Sequence, residues 1–306
     1  MKRASTIAYA GLLDLLAGDP LALPHPVAAI GAAVRFAEPR ARRRMRDERF
    51  AGAVVTLAIV GAAAAAGAIL ERAPLALRAL AAASTLACGS LLDHAAAVRD
   101  ALESGDVDAA RRAVSRIVGR DVADLTGPQI ARAAIEALAE STCDGVVAPL
   151  LFLAAFGLPG AFAYKAINTL DSLIGHIEPP YRRFGEAAAR LDDLANLLPA
   201  RVSAALISLA ALLGGGNARA ALGLALRDGL RHRSPNAGVS EAAMAGALGV
   251  RLGGRSSYDG IPHDAPVIGA EYEPPSVRDV RRAMQIVFIA GLLSIVITAL
   301  PVRDRR

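Results

Sequence analysis

The chain has 306 residues, 54% of them hydrophobic and only 4% aromatic, with a mean hydropathy of +0.40. This much apolar surface must be buried, which excludes a disordered chain, and the scarcity of aromatic residues disfavours an outer-membrane β-barrel. The net charge is +5, but no basic stretch alternates with aromatic residues, so we expect no nucleic-acid partner. The composition predicts an all-α, polytopic membrane protein with cytoplasmic helical segments and re-entrant or broken helices.

The first apolar run, from Ile7 to Ala17, follows Lys2 and Arg3 and has the outline of a signal peptide. Asp14 interrupts its apolar core, and the following Gly18-Asp-Pro20 indicates a turn rather than a cleavage site. We therefore expect this segment to be retained.

Residues 35–49 contain seven arginines, and residues 52–70 that follow them carry no charge. At 1.5 Å per residue, a helix of about 19 residues crosses the roughly 30 Å of bilayer hydrocarbon. We predict a span over 52–70, with the arginines on the cytoplasmic side by the positive-inside rule.

Two further segments are predicted to span the membrane. Residues 75–98 follow a very short turn and carry charges towards both ends. Residues 284–300 are uncharged and precede three arginines, at positions 303, 305 and 306. We expect the whole chain, 1–306, to form one membrane-embedded domain.

Three other segments are expected not to span. Residues 146–164 are apolar but contain Gly157-Leu-Pro-Gly160, and such a break leaves backbone groups unsatisfied in lipid, so we expect a re-entrant or protein-packed hairpin. Residues 202–213 are apolar but too short for a full span. Residues 254–280 are rich in glycine, proline and polar residues, and we expect a loop there.

The first of four polar clusters joins Arg120 and Asp121 to a helix that carries Glu136, Glu140 and Asp144. Steps of four residues place these three carboxylates on one helix face, where they repel one another unless a cation or an arginine is nearby. A solvated helix face would also explain them. The stripe runs into an apolar segment, however, where burial costs more.

The second cluster lies in residues 164–176, where Lys165, Asn168 and Asp171 or Ser172 share a helix face. Lys165 is the only lysine besides Lys2, and lysine is a common partner of phosphate where the arginine fork is not needed. A lysine snorkelling to the membrane edge is the alternative.

The third cluster is Arg190-Leu-Asp-Asp-Leu-Ala-Asn196. Asp192, Asp193 and Asn196 offer oxygen ligands of the kind that Mg²⁺ shares with substrate phosphates. A helix cap or a surface ion pair is the alternative interpretation.

The fourth cluster spans residues 231–241. We predict a helix that begins with Ser234 as N-cap and Pro235 in the first turn. Basic residues 231–233 lie just before this N-terminus, where free N–H groups favour a phosphate or carboxylate. A plain capped helix is the alternative. The candidate ligand-binding residues are Arg233, Ser234, Asn236 and Glu241.

Several familiar signatures are missing from the sequence. It contains no phosphate-binding loop, zinc motif, nucleophile elbow or dinucleotide fingerprint. Cys88 and Cys143 lack the spacing of a metal site or a disulfide framework, and we interpret both as core residues.

The four clusters, with their neighbours, resemble the cobinamide-phosphate synthase family of cobalamin biosynthesis (CbiB/CobD). The resemblance follows the chain in order over nearly its whole length. It departs from the family pattern at Ser141, where Asn is expected, and at Val239-Ser240, where Trp-Pro is usual. The matching strings are Leu13-Asp14, Gly18-Asp-Pro20, Pro24-His-Pro-Val27, Gly119-Arg-Asp121, Ala139-Glu140, Asp144-Gly-Val-Val-Ala-Pro149, Tyr164-Lys-Ala-Ile-Asn168, Arg190-Leu-Asp-Asp-Leu-Ala-Asn196, Pro199-Ala-Arg201, His232-Arg-Ser-Pro-Asn-Ala-Gly238 and Glu241-Ala-Ala-Met-Ala-Gly-Ala-Leu248.

The resemblance implies a multipass inner-membrane ligase with its active site facing the cytoplasm. Such enzymes join a propionate carboxylate of adenosylcobyric acid to aminopropanol or its O-phosphate, using ATP and Mg²⁺. The expected partners are therefore the corrinoid acid, the amine and membrane lipid, and a homo-oligomer stays open. Because a carboxylate is a poor electrophile, we expect it to be phosphorylated to an acyl phosphate before the amine attacks.

We assign roles on this basis. Glu136 or Glu140 would accept a proton from the attacking ammonium, provided that burial raises the carboxyl pKa. The Mg²⁺ ligands would be Asp192, Asp193 and Asn196, with Glu140 and Asp144 as second candidates. Groups that bind phosphate would be Lys165, Arg120, Arg233, Ser234 and Asn236. Further substrate-binding candidates are Asp121, Asn168, Asp171, Arg190 and Glu241. We predict that these clusters form a single pocket.

Three rival functions remain. A transporter would place charges centrally in its spans and would show inverted repeats, which the sequence lacks. An isoprenoid-type transferase would use the Asp-Asp-x-x-Asn string with Mg²⁺, but it needs a second such motif. A sensory membrane protein on the same scaffold would not need all four polar clusters.

Overall fold

The computed structural model describes residues 2–18, 25–176, 178–258 and 260–300. The predicted turn at Gly18-Asp-Pro20 lies partly outside these residues, and the arginines at 303, 305 and 306 lie wholly outside them. The described chain is almost entirely helical, which confirms the predicted class. Its helices are α1 Lys2–Ala17, α2 Pro26–Arg44, α3 Glu48–Leu70, α4 Leu75–Ala83, α5 Cys88–Glu103, α6 Val107–Val114, α7 Gly127–Thr142, α8 Ala148–Ile174, α9 Glu186–Leu213, α10 Ala218–Arg227, α11 Ala237–Leu248 and α12 Val277–Ala299.

A π-helix, Cys143–Val147, links α7 to α8, and a short 3₁₀-helix, Gly229–Arg231, follows α10. Within the described ranges, five helical segments are long and apolar enough to cross a membrane, so the chain is a polytopic membrane protein. They are Glu48–Leu70, Leu75–Glu103, Gly127–Ile174, Glu186–Leu213 and Val277–Ala299. Predicted spans 52–70 and 284–300 lie in the first and the last of them, apart from residue 300.

The predicted span 75–98 lies in the second of these segments, but it is not one continuous helix. Helix α4 ends at Ala83, and α5 begins at Cys88. Between them the N–H groups of Thr85 and Leu86 bond to carbonyls three residues back, at 3.0 and 2.9 Å. No glycine or proline marks this interruption, so the sequence offered no signal for it.

Residues 202–213, expected to be too short to span by themselves, belong to a helix that is long and apolar enough to cross a membrane. They form the second half of α9, which continues for 28 residues through Pro199. A proline inside a helix removes one backbone hydrogen bond, but the flanking helix-favouring residues keep the element intact. The charged string that contains Asp192 therefore lies inside a helix, which excludes its interpretation as a helix cap.

The expected loop over 254–280 contains a β-hairpin. Strand β1, Leu252–Tyr258, pairs antiparallel with β2, Ile261–Ile268, and Ser256 lies opposite His263. The dipeptide 259–260 is Asp-Gly, a typical two-residue hairpin turn, and Gly260 has a φ of 75°. The Asp-Gly dipeptide was the feature of the sequence that could have predicted the hairpin.

Helix α8 is interrupted where its sequence predicts a break. Gly157 has φ 72° and ψ −161°, a backbone conformation that glycine adopts without strain. The N–H of Leu158 donates to Glu71 Oε2 at 2.7 Å, which satisfies a group that the break would otherwise leave without a partner. That the segment is re-entrant stays a prediction.

The chain folds as two compact units. The first contains residues 1–86, 148–196 and 295–306, and the second contains 87–147 and 197–294. No change of composition in the sequence predicts this division. The core of the first unit packs α2, α3 and α8 around residues such as Val55, Leu170 and Phe184.

In the second unit, α11 packs against α7 and α10, and α5 packs against α6 and α7. Helix α11 is buried along its length, which is unusual for a segment of only 12 residues. Cys88 and Cys143 are buried in this unit and form no disulfide, as their interpretation as core residues predicted.

Candidate active site

Each unit contains a cluster of polar residues that are buried or partly buried. The first, called the acidic centre here, consists of Tyr164, Asn168 and Asp171 of α8 with Asp192, Asp193 and Asn196 of α9. The second, called the arginine centre, consists of Arg120, Arg132, Glu136 and Glu241. Each centre lies wholly within its own unit.

In the acidic centre a chain of hydrogen bonds fixes Asp192. The hydroxyl of Tyr164 donates to Asn196 Oδ1 at 2.8 Å, and Asn196 Nδ2 donates to Asp192 Oδ2 at 3.0 Å. Asn168 also forms a side-chain hydrogen bond with Asp192. The four-residue spacing of Asp192 and Asn196 predicted their proximity, whereas no pattern indicated a role for the Tyr164 hydroxyl.

The acidic centre has more negative charge than its described neighbours satisfy. Asp192 is 9% exposed, and its Oδ1 has no hydrogen-bond partner among the described residues. The charge of Asp171 acts on Asp192, and the charge of Asp193 acts on Asp171. Since buried polar atoms nearly always have a partner, the orphaned oxygen indicates a group that would complete the site.

The donor set fits Mg²⁺. Within the described ranges no group of three or more acidic, His or Cys side chains has a ready metal-binding arrangement. Mg²⁺ needs only one or two carboxylates, because it keeps several waters and binds substrate phosphates. Asp192 and Asp171 therefore fit it better than Asn196, whose amide already bonds to Tyr164 and Asp192.

Lys165 and Arg190 have different surroundings. Lys165 is only 8% exposed, which argues against a side chain that snorkels to water. Arg190 lies on the outer side of α9, where its side chain is 79% exposed and pairs with Glu186 at 2.6 Å. The structure does not bring Arg190 to the acidic centre, so its predicted role in substrate binding has no support.

The arginine centre is built around Glu136. Arg120 Nη1 lies 2.6 Å from Glu136 Oε2, and Arg132 Nε lies 3.8 Å from Glu136 Oε1. The N–H of Gly253 also donates to Glu136 Oε1, at 2.7 Å. An arginine therefore does compensate the carboxylate stripe, as its spacing required.

Arg132 of this centre and Asp121, the neighbour of Arg120, bind the β-hairpin. Arg132 donates to the carbonyls of Gly253 and Arg255, the latter at 2.9 Å. The N–H of Asp121 donates to the Ser257 carbonyl, and Asp121 Oδ2 accepts from the N–H of Gly260, both at 2.9 Å. The carboxylate of Asp121 thus fixes the hairpin turn. Gly119, two residues earlier, is exposed, and a Cβ added there would meet nothing within 4 Å.

Glu241 is the buried carboxyl of this centre. Burial raises its pKa well above the ordinary range, and the negative charges of Glu136 and Glu140 add to the shift, while Arg120 opposes it. Burial lowers the pKa of Arg120 itself, but Glu136 more than compensates, and the net pKa is raised. Glu241 therefore keeps its proton to a higher pH than an ordinary glutamate does.

The remaining carboxylates of the stripe differ from one another. Glu140 is exposed on α7, and its charge acts on Glu241. Asp144 is half-buried in the π-helix, where hydrogen bonds run to the fifth residue instead of the fourth. The second step of four, from Glu140 to Asp144, therefore crosses from the α-helix into the π-helix, which the sequence pattern did not indicate.

The fourth cluster forms a turn before α11, which begins at Ala237 and not at Pro235. His232 Nδ1 accepts from the N–H of Ser234 at 3.1 Å, and Ser234 Oγ accepts from the N–H groups of Asn236 and Ala237, both at 3.3 Å. These bonds extend the turn, so that α11 begins three residues after Ser234 and not directly after it. Burial lowers the pKa of His232.

Two arginines lie close to this turn. Arg201 Nη1 donates to Asn236 Oδ1 at 2.8 Å, and Arg233 Nη1 lies 3.4 Å from His263 Nε2 of the hairpin. The sequence did not single out Arg201 or His263. Arg231 is engaged elsewhere, since it pairs with buried Asp228 at 3.2 Å, and the hydrogen bonds of Arg227 lower the pKa of Asp228.

Comparisons with known proteins follow the whole chain. A family model described as CobD/Cbib protein matches residues 7–287. The "Cobalamin biosynthesis protein CobD" of Geobacter metallireducens is 46% identical over 303 residues, which cover 96% of this chain and 95% of that protein. The protein of the same name from Mycobacterium tuberculosis is 44% identical over 309 residues, 99% and 97% of the two chains. No solved structure matches significantly.

Proposed function

The chain belongs to the CobD/Cbib family of cobalamin biosynthesis, and we propose that it is an adenosylcobinamide-phosphate synthase. It would join a propionate carboxylate of adenosylcobyric acid to aminopropanol or its O-phosphate as an amide, with ATP as the source of energy. The observation that carries the proposal is the buried Oδ1 of Asp192, which has no hydrogen-bond partner among the described residues, because a phosphate-transferring ligase needs a cation site.

The proposed reaction has two steps. An oxygen of the propionate carboxylate bonds to the γ-phosphorus of ATP, and the bond from that phosphorus to the leaving ADP oxygen breaks. The amine nitrogen then bonds to the carbonyl carbon, phosphate leaves, and the nitrogen loses a proton. Carboxylate, amine and ATP thus become amide, ADP and phosphate.

The acidic centre supplies the electrostatics of the first step. Asp192 and Asp171 would hold Mg²⁺, with Asp193 beside them, and bound Mg²⁺ would neutralise charge on phosphoryl oxygens. Asn168 and Asn196 orient Asp192 through hydrogen bonds. Lys165, buried on α8, would contact a phosphate as a compact positive charge.

Glu241 is better suited than Glu136 to accept the proton of the attacking amine. The carboxylate of Glu136 is already engaged by Arg120 and by the Gly253 N–H. The raised pKa of Glu241 lies closer to the pH at which an acid–base group works best. Glu140 stays the second candidate.

We place the reaction at the cytoplasmic side of the inner membrane. The arginines of residues 35–49 support this orientation, since basic residues collect on the cytoplasmic side of a span. No observation favours the transporter or the isoprenoid-type transferase. That all four clusters serve one pocket stays a prediction.

The test is amide formation by the full chain purified in detergent. Cobyric acid, ATP and Mg²⁺ are supplied with either aminopropanol or its O-phosphate, and the corrinoid product is identified by mass spectrometry. We expect the amide from one of the two amines and ADP in equal amount. ATP hydrolysis that does not depend on both the corrinoid acid and the amine would overturn the proposal.

A further inference from the structure

The first unit has an open cavity of about 710 Å³ that the proposed reaction does not use. Its walls come from helices α1 to α4, with Phe162 of α8. Along α3 the lining runs from Ala58 to Leu70, twelve residues or about 18 Å of helix. This length is close to half of the roughly 30 Å hydrocarbon layer, which is one leaflet.

The walls of the cavity are apolar and mostly made of small side chains. Its two lining residues with polar side chains, His25 and Ser84, are engaged locally. The N–H of Val27 donates to His25 Nδ1 at 3.2 Å, and Ser84 Oγ donates to the Ala81 carbonyl at 2.8 Å. A buried water needs two to four polar partners, so this lining favours an apolar occupant over water.

The cavity lies beside a helix that can span the membrane, so lipid chains are the apolar molecules at hand. Helix α3 is one of the candidate spans, and only 22% of its most apolar window is buried inside the protein. Phe36 lines the cavity and is 62% exposed, which leaves an opening at this end. Alanines at 58, 62, 63 and 66 make the α3 wall smooth.

Positive charge lies at the same opening. The guanidinium of exposed Arg40 is 3.6 Å from the centre of the Phe36 ring, and its Nη1 donates to the Phe36 carbonyl at 2.7 Å. Arg40 belongs to the arginine-rich residues 35–49. An apolar channel one leaflet long with arginine at its mouth has the charge and shape of a phospholipid.

We propose that this cavity binds one acyl chain of an anionic phospholipid, with the lipid phosphate at Arg40. The proposal goes beyond the synthase reaction and does not depend on it. A neutral lipid, a detergent molecule or another part of this chain are the competing occupants, and the two experiments below distinguish them.

The first experiment fills the cavity. Phospholipid is extracted from purified protein and quantified by mass spectrometry for the wild type, for Ala62→Phe/Ala66→Phe and for Ala65→Phe. All three alanines are exposed on the same helix, but only Ala62 and Ala66 line the cavity. We expect about one tightly held lipid per wild-type chain, a loss of at least fivefold in the double variant, and no loss in the control. Equal retention in all three, or none in the wild type, would overturn the site.

The second experiment removes the charge and does not rely on the filled variant folding. Delipidated wild type, Arg40→Gln and Arg46→Gln are heated in mixed micelles that contain phosphatidylglycerol or phosphatidylcholine. Arg46 is an exposed arginine in the turn that follows α2. We expect phosphatidylglycerol to raise the unfolding midpoint more than phosphatidylcholine in the wild type and in Arg46→Gln, and the difference to vanish in Arg40→Gln. Equal shifts from both lipids in the wild type would reject an anionic ligand.

Discussion

The acidic centre and the arginine centre both bury carboxylates, but they neutralise the charge in different ways. In the arginine centre, Glu136 has Arg120 and a backbone N–H within hydrogen-bond distance, and Glu241 holds a raised pKa. In the acidic centre, Asp192 has amide donors on one oxygen, while the other has no partner among the described residues. In the first centre, Glu136 has its donors in place, and the atoms without a hydrogen-bond partner among the described residues are Arg120 Nε and Arg132 Nε. In the second centre, the atom without a partner is a carboxylate oxygen, which calls for a cation.

This difference separates the two roles that a ligase needs. In the arginine centre the charge of Glu136 is compensated before substrate arrives, so this centre can position a proton acceptor. The acidic centre is selective, because Asp192 Oδ1 gains a partner only when a cation and its phosphates bind. The predictions below test this contrast, from the largest expected effect to the smallest.

Replacing Asp192 should have the largest effect on activity. Asp192→Asn removes the charge that would hold Mg²⁺, and we expect amide formation to fall about a thousandfold, as when a key electrostatic group is lost. The Mg²⁺ concentration for half-maximal rate should rise as well. The matched control is Glu186→Gln, two turns earlier on α9, which loses only surface pairs with Arg49 and Arg190. Wild-type activity in Asp192→Asn would remove the cation site.

Replacing Arg120 should have the largest effect on stability. Arg120→Met leaves Glu136 buried without its closest cation, and breaking a buried pair in this way costs about 3 kcal/mol. We expect a lower unfolding midpoint in detergent, with recovery in Arg120→Met/Glu136→Leu. Exposed Arg116→Met is the control. An unchanged unfolding midpoint in Arg120→Met would mean that Arg120 does not compensate the buried charge of Glu136.

Replacing Glu241 should alter the dependence on pH. If Glu241 accepts the proton, Glu241→Gln lowers kcat/KM about a hundredfold and abolishes the rise of rate with pH. Glu140→Gln should keep that rise. The reverse result would transfer the role to Glu140.

The raised pKa of Glu241 also determines how the free energy of unfolding changes with pH. As pH rises from the ordinary glutamate pKa, about 4.3, towards the raised value, the unfolded chain loses this proton and the folded chain keeps it. The free energy of unfolding therefore falls over that window. Glu241→Gln should remove the fall, which unfolding midpoints measured across the window would show.

The smallest effect is expected at the hairpin. Asp121→Ala removes the carboxylate that accepts from the Gly260 N–H, a loss of about 1 kcal/mol. Activity should fall less than threefold, because Asp121 fixes the turn instead of contacting phosphate. Exposed Asp124→Ala is the control. A loss comparable to that of Asp192→Asn would restore the predicted phosphate-binding role of Asp121.

Helical spacing predicted local geometry well. The four-residue spacing of Asp192 and Asn196 corresponds to a direct hydrogen bond, and the repulsion expected around Glu136 is relieved by Arg120. These inferences succeeded because periodicity determines which side chains share a helix face.

Features that depend on distant contacts were not predictable in the same way. The interruption at residues 84–87 follows no glycine or proline, and the N–H of Ala87 bonds to the Gly145 carbonyl, far away in sequence. The hairpin was missed because its strands lack apolar alternation, although the Asp-Gly turn was visible. The burial of Glu241 depends on α7 packing against α11, which no local pattern specifies.

The burial of both cysteines has a practical consequence. Since Cys88 and Cys143 are the only thiols in the sequence and both are enclosed, a cysteine introduced at Gly119 would be the accessible one for a maleimide dye. The fluorescence of this dye would report, during turnover, on the segment that carries Arg120 and contacts the hairpin. The native thiols would not have to be removed.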